Sequence, residues 1–183
     1  MLNLTCENSV VVLIDWQERL IGPMDPELHK ANLAKALILL RSAAAAGVPV
    51  LATEQYPQGL GPTLEVLREA VPGFQPIEKR DFSCCAVQAF AAALEETGRS
   101  HVVLVGMEAH VCVYQTARDL VGEGYVVHVP ADAVLSRRKA DFRAAIGLYE
   151  RLGAISTSVE TVVFDWVGRA QGPLFKTVSS LVR

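Results

Sequence analysis

The 183-residue chain is predicted to fold as a three-layer αβα protein, with a six-stranded parallel sheet between two helical layers. Three observations carry that expectation. The β-branched runs are short and continuously apolar, so both faces of each strand must be covered. Longer Ala/Leu-rich segments alternate with these runs, which is the pattern of repeated βα units. The length suits one sizeable core and is short for two, so residues 1–183 read as a single domain.

Ser9–Ile14 is the first strand, an apolar run that ends at Asp15. Leu28–Ala46 has helical periodicity and stops at Gly47. Val48–Thr53 is the second strand. Glu54–Pro62 contains two prolines and two glycines and reads as a loop. A short helix is expected over Thr63–Ala70 and a weak third strand over Gln75–Lys79. Ala86–Thr97 is a helix closed by Gly98. His101–Val105 is the fourth strand and ends at Gly106, before a helix over His110–Glu123. Tyr125–Val129 is the fifth strand, Lys139–Leu152 a helix stopped by Gly153, and Ala154–Ser156 the sixth strand. Ser158 opens another helix, and Gly172–Leu181 forms the last.

Composition excludes several roles. Lys and Arg number 17 against 20 Asp and Glu, a net charge of −3. No basic surplus exists to draw in nucleic acid or an anionic membrane. No apolar stretch approaches the ~20 residues needed to span a bilayer. The start, Met1-Leu-Asn-Leu-Thr-Cys-Glu7, lacks the basic and apolar regions of a secretory leader. Cys6, Cys84, Cys85 and Cys112 have no disulfide or CxxC spacing. A cytoplasmic protein with reduced thiols is expected.

In parallel α/β sheets, sites form at the carboxyl ends of strands. Asp15 stands at the first such end, where a carboxylate must be paired or solvated; a turn or helix-cap role is the plainer alternative. Lys79 stands at the third, and whether it or Arg80 points inward stays open. Cys112 follows the fourth strand, in the expected first turn of a helix. A helix N-terminus favours a thiolate and lowers its pKa, and its unpaired N–H groups can donate to an oxyanion. A buried structural cysteine is the alternative reading. Together, an acid, a cation and a thiol at neighbouring strand ends can form one nucleophilic site.

Five segments resemble the isochorismatase-like cysteine hydrolases: Val11-Val-Leu-Ile-Asp-Trp-Gln17, Thr53-Glu-Gln-Tyr-Pro57, Lys79-Arg-Asp-Phe-Ser83, Gly106-Met-Glu-Ala-His-Val-Cys-Val113 with Thr116-Ala117, and Val129-Pro-Ala-Asp-Ala-Val-Leu-Ser-Arg137. They run in family order over nearly the whole chain. The resemblance implies a Rossmann-like sheet, a triad of Asp15, Lys79 and Cys112, and a cis peptide between Met107 and Glu108. The backbone N–H groups of Glu108 and Cys112 are then the oxyanion donors. Trp16, Gln17, Gln55, Tyr56, Phe82 and His110 are the candidate substrate pocket, with plain core packing the alternative for Trp16 and Phe82.

Metal-dependent nicotinamidases of this family carry Asp-x-His after the second strand. This chain reads Thr53-Glu-Gln-Tyr56 there, and no His lies between His29 and His101. A His-based metal site therefore lacks ligands, and no metal is expected. Neither GxGxxG nor GxxxxGK[ST] occurs, so no nucleotide or other cofactor is implied. His101 and His128 read as strand residues, and the Cys84-Cys85 pair as packing at a helix start. The expected function is hydrolysis of a small-molecule amide or related C–N bond. Vinyl ether hydrolysis of the isochorismatase type and a non-catalytic oligomeric binding role are the alternatives. The family also implies a homo-oligomer; the apolar Val162-Val-Phe-Asp-Trp-Val167 is a candidate interface or, equally, ordinary helix packing.

Overall fold

The computed structural model describes residues 3–183; Met1 and Leu2, the start of the segment read for a leader, lie outside the described residues. The strands are β1 (Ser9–Ile14), β2 (Val50–Gln55), β3 (Ile77–Lys79), β4 (His101–Met107), β5 (Val126–Pro130), β6 (Val134–Leu135) and β7 (Ile155–Thr157). The helices are α1 (Glu18–Ile21), α2 (Pro26–Ala46), α3 (Pro57–Leu60), α4 (Glu65–Ala70), α5 (Gln88–Glu96), α6 (Tyr114–Gly122), α7 (Lys139–Leu152), α8 (Val159–Val167) and α9 (Gly172–Leu181).

All strand pairs are parallel, in the order β3-β2-β1-β4-β5-β7, with β6 paired to β4. Six strands form the continuous path, as expected. The two-residue β6 is an addition, too short to leave a pattern in sequence. The strand order reverses direction between β1 and β4, which opens a crevice at their carboxyl ends.

Side-chain alternation along the central strands builds a core on each face. Val11, Leu13, Val103 and Val105 pack with Leu39, Leu40, Val163, Trp166 and Val178 of α2, α8 and α9. Val10, Val12, Ile14, Val102 and Leu104 pack with Phe90, Leu94, Leu120 and Tyr149 of α5, α6 and α7. β1 is buried throughout, so its apolar run has water on neither side. Each such Val, Leu or Ile contributes ~1.5–3 kcal/mol of transfer free energy.

Gly106 sets how closely β1 and β4 approach. It pairs with Ile14 and has φ +133°, and a Cβ there would lie 2.0 Å from the Ile14 carbonyl oxygen. Only glycine fits that backbone.

Several boundaries differ from expectation. α2 starts at Pro26, two residues before the periodic pattern, because the Asp25 side chain accepts from the N–H groups of Glu27 and Leu28 and proline suits the first helical turn. β2 is shifted two residues later and takes in Glu54 and Gln55, which the loop reading excluded. The helix expected from His110 begins instead as a wide π-type turn, Ala109–Val113. Of the two readings of the Val162–Val167 segment, helix packing holds for Val162, Val163 and Trp166, which are buried against the sheet; the Trp166 indole donates to Ser9 Oγ at 3.0 Å. Among the described residues no helix is long and apolar enough to cross a membrane.

Candidate active site

The strand order brings Asp15, Lys79 and Cys112 to one end of the sheet. Asp15 follows β1 with φ +50°, a left-handed conformation that Asp tolerates better than most residues. Its N–H donates to the Thr53 carbonyl at 3.2 Å. Lys79 closes β3 opposite Gln55 of β2. Its Nζ lies 2.6 Å from Asp15 Oδ2, with both side chains fully buried. The same Nζ donates to Gln55 Oε1 at 2.7 Å and to the carbonyls of Asp81 and Phe82 at 3.3 and 3.2 Å. Lys79, not Arg80, is thus the inward cation. Asp15 Oδ1 accepts from the Thr53 hydroxyl at 2.8 Å.

Cys112 lies in the π-type turn, a helix irregularity that recurs at functional sites. The Met107–Glu108 peptide bond is cis. The Glu108 carbonyl accepts from the N–H groups of Val111 and Val113. The Glu108 carboxylate accepts twice from Arg137, through its backbone N–H and its Nε, both at 3.0 Å. The turn is thereby tied to the segment after β6. A crevice of about 130 Å³ opens here, lined in part by Asp15, Gln55, Phe82, Glu108, Val111 and Cys112.

Electrostatics overturn one expectation. Burial pushes the Cys112 thiol up to about 12, and the Asp15 charge pushes the same way; Lys79 opposes both and is outweighed. Cys112 therefore rests as a thiol, not as the thiolate expected at a helix start, and its proton needs a base. Burial alone would lower the Lys79 pKa, but the Asp15 carboxylate raises it above the ordinary lysine value. The cation is permanent through the neutral range.

The predicted pocket residues divide. Gln55 and Phe82 line the crevice. The Gln55 carboxamide is already engaged, by Lys79 on Oε1 and by the Arg80 carbonyl on Nε2 at 2.8 Å. Trp16 is core instead, fully buried with its indole directed at His29. Gln17 is a clip: it donates to the carbonyls of Gln55 and Gly61 and accepts from the Gln55 N–H at 2.7 Å. Tyr56 stands outside under the Arg80 guanidinium. His110 faces away, with Nδ1 3.0 Å from Ser136 Oγ. Sequence reasoning did not single out Thr53, although it closes the expected second strand; in the sheet it pairs with Ile14, directly before Asp15. Sequence reasoning also missed Leu20, Leu60 and Val111 in the crevice wall, where Met107, named for the cis peptide, stands as well. His101 and His128 are buried strand residues, but they stack on one another with ring centroids 5.4 Å apart.

Residues 9–161 match the model of the isochorismatase domain. The chain belongs to the isochorismatase-like hydrolase family. Isochorismatase domain-containing protein 1 of Danio rerio is 35% identical over 181 residues, which cover 99% of this chain and 63% of that relative. The chain thus spans less than two thirds of that relative's length. A solved structure described as the MAR1 ribonuclease of Caenorhabditis elegans superposes with a TM-score of 0.90 at 36% identity, covering 98% of this chain and 92% of that one. YcaC of Escherichia coli, described as an octameric hydrolase of unknown specificity, shares the fold with a TM-score of 0.91 at 20% identity, covering 99% and 89%.

Proposed function

We propose that this isochorismatase-like chain is a cysteine hydrolase that cleaves a small amide or related C–N bond through Cys112, Asp15 and Lys79. The observation that carries this is the placement of a buried carboxylate, gripped by an ammonium at 2.6 Å, in the same crevice as a thiol. Asp15 takes the Cys112 proton, and the thiolate sulfur bonds to the substrate carbonyl carbon. The backbone N–H groups of Glu108 and Cys112 receive the oxyanion. The C–N bond breaks, and Asp15 returns its proton to the departing nitrogen. Water then gives a proton to Asp15 and its oxygen to the thioester, which releases the acid and restores the thiol. Lys79 stays charged and holds Asp15 throughout.

The crevice favours a small substrate, since a cavity of about 150 Å³ accommodates benzene. Side chains supply thiol, base and cation, so the reaction needs no metal or organic cofactor. The name of the nematode neighbour raises RNA as a substrate, but a net charge of −3 provides no general attraction for a polyanion. We further infer a homo-oligomer, in line with the family resemblance, and a cytoplasmic setting, in which the four cysteines stay reduced.

An ammonia-release screen over small amides, with Cys112→Ala as the blank, tests the proposal. Activity that Cys112→Ala removes and Cys112→Ser lowers at least a thousandfold is the expected outcome. Full activity in either variant refutes the nucleophile. Turnover of isochorismate that survives Cys112→Ala selects the vinyl ether alternative. Absence of turnover on every class, with wild-type folding, selects the binding role.

A further inference from the structure

We propose that Thr53 is a positioning residue of the Cys112 site, its hydroxyl fixing the Asp15 carboxylate in the orientation from which it takes the thiol proton. This rests on the reading of Asp15 as the base. Thr53 lies in β2 beside Ile14 and is 1% exposed. Its Oγ1 donates to Asp15 Oδ1 at 2.8 Å, while Lys79 holds Oδ2 at 2.6 Å. Each carboxylate oxygen is thus gripped by a donor from a different strand. Rotation about the Asp15 Cβ–Cγ bond loses both contacts, so the lone pairs left over keep a constant bearing on the crevice.

Proton counting gives the direction of the chain behind Asp15. A carboxylate only accepts, and a hydroxyl has one proton. The Thr53 proton therefore points to Oδ1, which leaves Oγ1 to accept. The Cys84 thiol stands behind it at 3.8 Å as the donor. Cys84 is fully buried, and its N–H is anchored on Thr116 Oγ1 at 3.0 Å. Cys84 is thereby distinguished from Cys85 as the thiol that backs the acid. Neither Thr53 nor Cys84 lines the crevice, so both act through Asp15 and not on substrate.

Thr53→Val keeps the shape and removes the hydroxyl; Thr53→Ser keeps the hydroxyl. On an amide turned over in the screen, Thr53→Val is expected to lower kcat about 10- to 100-fold with KM within about twofold, the size of one hydrogen bond to a charged group. Thr53→Ser stays within about fivefold of wild type. Iodoacetamide alkylation of Cys112 gives a readout that needs no substrate. Thr53→Val changes that rate threefold or more in the wild-type background and leaves it unchanged in Asp15→Asn. An equal change in both backgrounds, or none in either, overturns the proposal, as does a serine variant as slow as valine. If Thr53→Val does not fold, Thr53→Ala is read against Thr53→Ser by the same two measures. Full activity of Asp15→Asn or Cys112→Ala instead sinks the hydrolase reading itself, whatever Thr53 does.

Discussion

Lys79→Met tests the centre of the site through stability alone. The substitution removes the ammonium and leaves an unbranched chain in its place. The Lys79–Asp15 contact is 2.6 Å with both side chains 0% exposed, so water cannot replace the lost partner. Breaking a buried pair by removing one member costs about 3–5 kcal/mol. The Gln55 Oε1 and the Asp81 and Phe82 carbonyls lose their donor as well. At ~2–4 °C per kcal/mol for a chain of this size, the melting temperature falls by roughly 6–20 °C. Thermal and urea unfolding at pH 7–9 measure this. The sign with pH follows from the raised Lys79 pKa. Its contribution is complete below the free lysine value of ~10.4 and is lost as pH rises through the higher folded value. The gap between wild type and variant is therefore flat from pH 7 to 9 and closes in strong alkali. Lys79→Met in the Asp15→Asn background regains about 2 kcal/mol or more, because no orphaned carboxylate remains. A cost below about 1 kcal/mol, or the same cost in both backgrounds, refutes the buried pair.

Three other outcomes are expected. Without substrate, iodoacetamide labels Cys112 slowly at pH 7–8 and faster only above pH ~9, because burial and Asp15 hold the thiol near 12; a rate that plateaus by pH 8 contradicts this. Gly106→Ala, which drives a Cβ to 2.0 Å from the Ile14 carbonyl oxygen, prevents folding or costs more than ~3 kcal/mol, whereas Gly147→Ala on the open face of α7 stabilises by up to ~1 kcal/mol; equal melting temperatures for the two variants contradict the close approach. Gln17→Ala loses the three hydrogen bonds of the clip and about 2–4 kcal/mol but keeps the activity per folded molecule, and a selective rise in KM at wild-type stability returns Gln17 to the substrate pocket.

The buried strands were legible because their apolar runs stand alone between punctuating residues: Ser9–Ile14 and Lys79 at the end of the third strand lie where the sequence places them. Asp15, Lys79 and Cys112 could be singled out because sites in such a sheet form at strand ends, and the fold brings the three together there. Side-chain direction beyond a strand end could not. The backbone at Asp15 turns left-handed, so the alternation of β1 says nothing about Trp16 and Gln17, which go into core and clip. His110 precedes Cys112 by two residues, a rotation of about 200° in a helix, and helical spacing alone argued for the far side. The thiol pKa was misjudged for a different reason. Helix position is a local property, whereas the burial that dominates at Cys112 depends on β1, β4 and the loop after β3 closing around it.

Lys79 comes from a strand of only three residues with a single neighbour, at the edge of the sheet. Edge segments of this kind belong to the part of a fold that opens first, at a free energy below that of global unfolding. Opening β3 would withdraw the ammonium from Asp15 and leave β1, β4 and both cores assembled. The site can therefore be dismantled while the molecule stays folded. Amide exchange should report this as early loss of protection at Glu78 and Lys79 against persistent protection from Val10 to Ile14. The population of molecules in which Asp15 keeps its ammonium partner is then set by the integrity of one short edge strand, and not by the stability of the domain.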